Sequence, residues 1–352
     1  MDLTPINDAR ADDEAHRRLD ELWRRGCVFL GAKYAILGGA MTWVSESRLV
    51  SAISNAGGFG VVACGSLSPD ALGAEIAATS EKTDRPFGVN LITIHPELTE
   101  LIDACIGLGV GHVILAGGLP PKTAITRVRD SGAKVVCFAP TLLVGRKLVR
   151  QGADALIIEG MEAGGHTGPV STGVLAQEIL PHLRDVPIFV GGGIGRGESI
   201  ASYLEMGASG VQLGTRFVCA RESIAHPKFK QLCIRANARD AQLSVQLDPM
   251  FPVIPVRALP NKATEKFTEV QRAAIEKFRE GKIGQKDAQL EIERFWAGSL
   301  RRAVIEGDVE NGSLMAGQSV GMVSSEQPMA EIFDQLIGQI LATLSGHNRH
   351  GP

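Results

Sequence analysis

No apolar run in the 352 residues approaches the roughly 20 residues that a membrane-spanning helix needs. The N-terminus is rich in Asp, Glu and Arg and lacks the apolar core of a signal peptide, so a cytoplasmic protein is expected. Charge of one sign is also scarce. A net charge of −3 removes the basic excess that nucleic acid or an acidic membrane surface would require, and no partner of either kind is expected. Six cysteines, Cys27, Cys64, Cys105, Cys137, Cys219 and Cys233, are scattered without a C-x-x-C pair or a cluster with histidine. That pattern fits a reducing compartment and small buried hydrophobes, and it supports no metal site. Small molecules remain as the expected partners.

What is present is an alternation. From residue 28 to about 216, short apolar runs exchange with longer amphipathic ones, the pattern of a mostly parallel sheet with covering helices. Strands are expected near Tyr34–Leu37, Gly60–Cys64, Gly88–Leu91, His112–Leu115, Lys134–Phe138, Ala155–Ile158, Ile188–Val190 and Gly210–Leu213. Helices are expected near 46–56, 69–80, 97–107, 121–131, 141–151, 172–183 and 197–206, with Ser68 before Pro69 and Thr141 before Leu142 as start signals. Such a count predicts an α/β protein with a (β/α)8 TIM barrel, and a doubly wound open sheet is the competitor. Glycine-rich loops follow several strands, which favours the barrel because a barrel gathers all strand ends around one mouth.

The expected organisation is an N-terminal extension over 1–27, the barrel over 28–223, a small, mainly helical second domain or lid over 224–303, and a returning segment with a C-terminal helix over 304–352. A proline-rich break from Pro249 to Pro260 interrupts the second part, and a strongly charged helical pattern covers 263–297.

Three loops carry candidate chemistry. Glu159-Gly-Met-Glu-Ala-Gly-Gly-His166-Thr-Gly168 leaves the carboxyl end of the sixth expected strand and hangs one imidazole on flexible backbone. Gly191-Gly-Gly-Ile-Gly195-Arg-Gly197 follows the seventh strand, and Gly214-Thr215-Arg216 follows the eighth. In phosphate-binding barrels the loops after strands seven and eight supply backbone N–H groups to the anion. Arg216 is either a charge partner for phosphate or an exposed neighbour. No nucleotide P-loop is present, because the lysine and hydroxyl of that motif are missing. His226, His95 and His112 have no partner pattern.

These residues resemble a known group, the flavin-dependent family that contains nitronate monooxygenases and type II enoyl-acyl-carrier-protein reductases. The resemblance covers roughly residues 28–340 and rests on Ser54-Asn-Ala-Gly-Gly-Phe-Gly60, Arg85-Pro-Phe-Gly-Val-Asn90, the histidine loop, both phosphate loops through Phe217, and Gly312-Ser-Leu-Met-Ala-Gly-Gln318. It implies FMN held by Gly39, Ala40, Met41, Asn90, Glu159, Gly165, Gly192, Gly193, Gln212, Gly214, Thr215, Met315 and Gln318, with His166 as the catalytic residue. The cofactor would carry the redox step and the protein would orient it. The first-strand loop departs from the family: many members have Pro-Ile-x-Gln-Gly-Gly-Met where this chain has Ala35-Ile-Leu-Gly-Gly-Ala-Met41.

The histidine loop and the Gly-Ser-x-Met-Ala-Gly-Gln segment look closer to the enoyl reductases. The resemblance therefore implies hydride transfer from NAD(P)H to a 2-enoyl thioester, with His166 orienting the carbonyl or supplying a proton. Nitronate oxidation with O2 uses the same histidine as a base. A quinone reductase and a non-catalytic flavin-binding barrel are the further alternatives. An acyl carrier protein and a second copy of the chain are the macromolecular partners compatible with the resemblance.

Overall fold

The protein is described by a computed structural model over residues 6–65, 67–251 and 255–346. Residues 252–254 of the proline-rich break lie outside the described residues, as do residues 1–5 and 347–352 of the two expected terminal segments.

Short apolar runs bounded by glycine form eight strands: β1 Ile36–Gly38, β2 Gly60–Ala63, β3 Phe87–Ile92, β4 His112–Ala116, β5 Lys134–Phe138, β6 Ala155–Glu159, β7 Ile188–Gly191 and β8 Gly210–Leu213. Their near-continuous hydrophobicity suits burial on both faces; Leu156, Ile157 and Ile158 are all fully buried. All eight are parallel, and each pairs with a neighbour in strand order from β2 round to β8 and then β1. A doubly wound sheet would reverse its strand order at a switch point, and this one does not. The Leu37–Phe59 bridge, with Gly38 N–H donating to Phe59 O at 2.9 Å, brings the ends together into a nearly closed barrel.

Helices cover the outside. Ser68 and Thr141 cap their helices as the sequence predicts, accepting from Ala71 N–H and Val144 N–H. One expected helix is shorter than its pattern: Thr172–Ile179 stops before 183 because Pro181 cannot donate to the ladder. The charged N-terminal extension is itself a helix, Ile6–Leu30, which buries Ala15, Leu19 and Trp23 at four-residue spacing. Its end covers the amino-terminal mouth of the barrel, where Phe29 O lies 2.8 Å from His112 Nε2. The opposite mouth is left for the loops.

Beyond the barrel come the helices Pro227–Arg235, Lys262–Arg279, Gln285–Val304 and Met329–Leu344. Phe251, Val256, Phe267, Ile275 and Ile292 form a second, smaller core. The charged pattern over 263–297 is two helices rather than one, broken where Gly281 takes a φ of +71°. A small antiparallel sheet also appears that the sequence did not suggest. Val256–Leu259 runs through it, flanked by Gln242–Leu243, Leu314–Met315 and Gly165–His166. Strands of two to four residues are too short to show alternation.

Candidate active site

At the carboxyl end of the barrel, Glu159 of β6, Gly191 of β7 and Gln212 of β8 are register neighbours. Because Gly191 has no side chain, its neighbours meet across it, and Gln212 Nε2 donates to Glu159 Oε2 at 2.9 Å. Burial pushes the Glu159 carboxyl up to about 7, against the opposing effect of the Gln212 amide. This acid therefore exchanges protons near neutrality.

The histidine loop is fixed from three sides. Its residues Gly165 and His166 pair with Arg257 and Val256, and His166 itself is exposed. Beside it, Thr167 N–H donates to Pro255 O at 3.0 Å. The buried Arg257 donates from Nε to Met161 O at 2.8 Å and from Nη1 to Ala241 O, tying the loop to the chain after the barrel. Glu162 reaches the other way: its Oε2 accepts Thr172 N–H at 2.9 Å, and the Thr172 hydroxyl sits between that oxygen (2.9 Å) and Gly192 O (3.0 Å). The histidine loop and the loop after β7 are thereby joined through Thr172.

The returning segment crosses both. Gly317 N–H donates to Thr215 Oγ1 at 2.8 Å, and Gln318 N–H to Glu162 O at 2.9 Å. The crossing needs glycine: a Cβ on Gly317 would lie 2.7 Å from Glu162 O and 2.8 Å from Gly164 N. In the β7 loop, Gly192 and Gly193 hold φ values of +97° and +71°, a region L-residues with side chains avoid.

A Cβ on Gly214 would meet only Met41 Sδ, at 3.6 Å, and one on Gly165 only Met315 Sδ, at 3.5 Å. Polarisable thioethers thus border two side-chain-free backbone surfaces, which suits a planar ring. Gly39 N–H is anchored to Leu213 O at 2.7 Å, and the Ser45 hydroxyl bridges Gly39 O (2.8 Å) and Met41 N (3.0 Å).

Most of the candidate residues are linked through these contacts. Ala40 follows Gly39 and is half-buried; Asn90 is buried on β3, whose neighbours are β2 and β4 rather than the strands that carry Glu159 and Gln212. Arg216 is buried, so it is not the exposed neighbour the sequence allowed. His226 caps the helix Pro227–Arg235, accepting Lys228 N–H at 3.2 Å, and His112 packs against Phe29 and Phe59. Sequence reasoning missed Thr172, Arg257 and Trp43. Trp43, at φ 66°, is the one non-glycine residue with positive φ among those described, and it stands in the first-strand loop that departs from the family pattern. Glu162 had a signal, since it lies inside the histidine motif.

Fold, loops and relatives together define the class: a (β/α)8-barrel oxidoreductase. The chain belongs to the nitronate monooxygenase family, whose model matches residues 27–107 and 98–339. It is similar to FabK from Thermotoga maritima, with 34% identity, a TM-score of 0.82, and coverage of 92% of this chain and 98% of that one. A (3aS,4S,5R,7aS)-5-hydroxy-7a-methyl-1-oxo-octahydro-1H-indene-4-carboxyl-CoA dehydrogenase from Mycobacterium tuberculosis is 29% identical over 88% of this chain and 93% of its own length. A probable nitronate monooxygenase from Bacillus subtilis is 25% identical, covering 83% and 92%.

Proposed function

We propose that this chain is an FMN-dependent oxidoreductase that reduces a 2-enoyl thioester with NAD(P)H. The observation that carries the proposal is the convergence of the histidine loop with the loops after β7 and β8, where a methionine sulfur, Met41 Sδ or Met315 Sδ, is the one atom near a Cβ built on Gly214 or Gly165. The residues present fit the group: Met41 and Met315 would border the ring, and the loops at Gly192, Gly193, Gly214 and Thr215 would hold the phosphate. In this reading residues 28–223 are the cofactor barrel, 224–303 a lid, and 304–352 the segment that returns to the barrel.

When bound, FMN supplies hydride transfer between the nicotinamide and the β-carbon of the thioester. The chain's own part is orientation and proton handling. His166, exposed on a loop fastened by Arg257 and Glu162, would hold the thioester carbonyl oxygen or place a proton on the α-carbon. Glu159 and Gln212 would face the ring edge as an acid and an amide. The thioester class is supported by the FabK likeness, by the histidine-loop resemblance to enoyl reductases, and by the mycobacterial relative, whose name specifies a CoA thioester. The acyl carrier would be coenzyme A or an acyl carrier protein.

The family assignment and the Bacillus relative favour a second reading, oxidation of an alkyl nitronate with O2, in which His166 takes a proton from the acidic carbon. Anaerobic mixing of the flavin-loaded protein with NADH and with NADPH separates the two. Loss of the oxidised flavin band, followed by its return on adding crotonyl thioester, is the expected result; an unbleached flavin with both nicotinamides refutes the reductase. Oxygen uptake with propionate 3-nitronate assigns the second activity, and return of the band with quinone alone assigns a quinone reductase. His166→Ala should retain flavin and lose turnover.

A further inference from the structure

Arg216 follows Thr215 directly and is only 5% exposed. A guanidinium buried this deeply ordinarily sits against a carboxylate, because an uncompensated charge away from water is strongly unfavourable. Here the acceptors are neutral. Arg216 Nη2 donates to Gln327 Oε1 and to Gln335 Oε1, each at 2.9 Å. Its Nε is buried and has no hydrogen-bond partner. Among the described residues no Asp or Glu forms an ion pair with it, and burial pulls its pKa down.

The same side of the barrel shows how deliberately neutral that support is. The C-terminal helix Met329–Leu344 carries Gln335 and Gln339 one turn apart. Gln339 Oε1 accepts Gly197 N–H at 2.8 Å, where the loop after β7 becomes a helix. One helix therefore holds both phosphate loops through glutamine oxygens, and among the described residues its own acids, Glu331 and Asp334, form no ion pair with Arg216. A glutamate in place of Gln335 would fill the same volume and neutralise the guanidinium.

We propose that Arg216 is a buried counter-charge for the phosphate group of the bound flavin, kept uncompensated by Gln327 and Gln335 so that its field acts on the neighbouring Gly214–Thr215 loop. This rests on the flavin reading above. Gln335 is exposed while Arg216 is buried, so the charge stands just beneath the surface, where it is only partly screened and acts over several ångströms without touching the anion; Arg216 is a determinant of binding and not a catalytic residue. The preference it creates is for a phosphorylated ring over the same ring without phosphate.

The test compares dissociation constants of FMN and riboflavin for the full-length apoprotein and two variants. In Arg216→Gln the FMN constant should rise about tenfold while that of riboflavin stays level. Gln335→Glu keeps the arginine and supplies the missing carboxylate, so it should also weaken FMN selectively, while raising the melting temperature of the apoprotein. Equal weakening of both flavins in the two variants, or an unchanged FMN to riboflavin ratio, overturns the proposal. Should Arg216→Gln fail to fold, Gln335→Glu decides alone: unchanged FMN affinity with a higher melting temperature overturns it. If the unaltered protein binds neither flavin, the flavin reading itself fails, and this inference with it.

Discussion

Glu159→Gln is the most revealing single change, because it keeps the shape of the site and removes one titration. Glutamine at 159 can still accept the Gln212 amide hydrogen bond through its own side-chain oxygen. An ordinary glutamic acid titrates near 4.5, whereas burial moves Glu159 to about 7. Between these values the folded chain keeps a proton that the unfolded chain has lost. Stability linked to Glu159 is thus fully present below 4.5, falls as pH rises, and is gone above about 7. The shift corresponds to about 2–3 kcal/mol after allowance for partial solvent access. Urea unfolding of the flavin-free protein between pH 4.5 and 8, with and without the substitution, measures this directly. The two proteins should match at the acid end, and the variant should be the more stable by about 2–3 kcal/mol at the alkaline end. Parallel stability curves across the whole range would show that Glu159 titrates normally and that its environment has been misjudged.

Gly317→Ala should destabilise by about 1–3 kcal/mol, because both atoms its Cβ would strike are backbone and cannot rotate away. Gly168→Ala, where a Cβ meets nothing within 4 Å, is the matched control; equal urea midpoints for the two would refute the crossing of loop and returning segment. Arg257→Met leaves Met161 O and Ala241 O without their donor, at a cost of about 1–3 kcal/mol for each carbonyl left unpaired. Hydrogen exchange over residues 161–168 should quicken while β4 and β5 stay protected, and unchanged exchange in the loop would remove Arg257 from its support.

The barrel was legible because parallel strands buried on both faces write themselves as short apolar runs, and eight such runs alternate with amphipathic stretches. The start signals at Ser68 and Thr141 are local hydrogen-bonding chemistry, which is why they were readable. The small sheet that holds Gly165 and His166 was not, since its strands are too short for any period and pair residues about 55 and 90 positions apart. The N-terminal helix hid for a different reason: three apolar residues, Ala15, Leu19 and Trp23, are spread through a strongly charged stretch.

Sequence alone determined the order of strands and helices, the glycine loops and the one histidine on them, because each is encoded in neighbouring residues. Tertiary structure alone decided what those loops meet. Only the parallel register of β6, β7 and β8 sets Gln212 beside Glu159 across Gly191. Only the returning chain brings Gly317 onto Gly164 and Thr215, and only Gln327 together with Gln335 of the C-terminal helix gives Arg216 its neutral oxygens. Such contacts depend on the closing of long loops, and no local pattern of residue types records them.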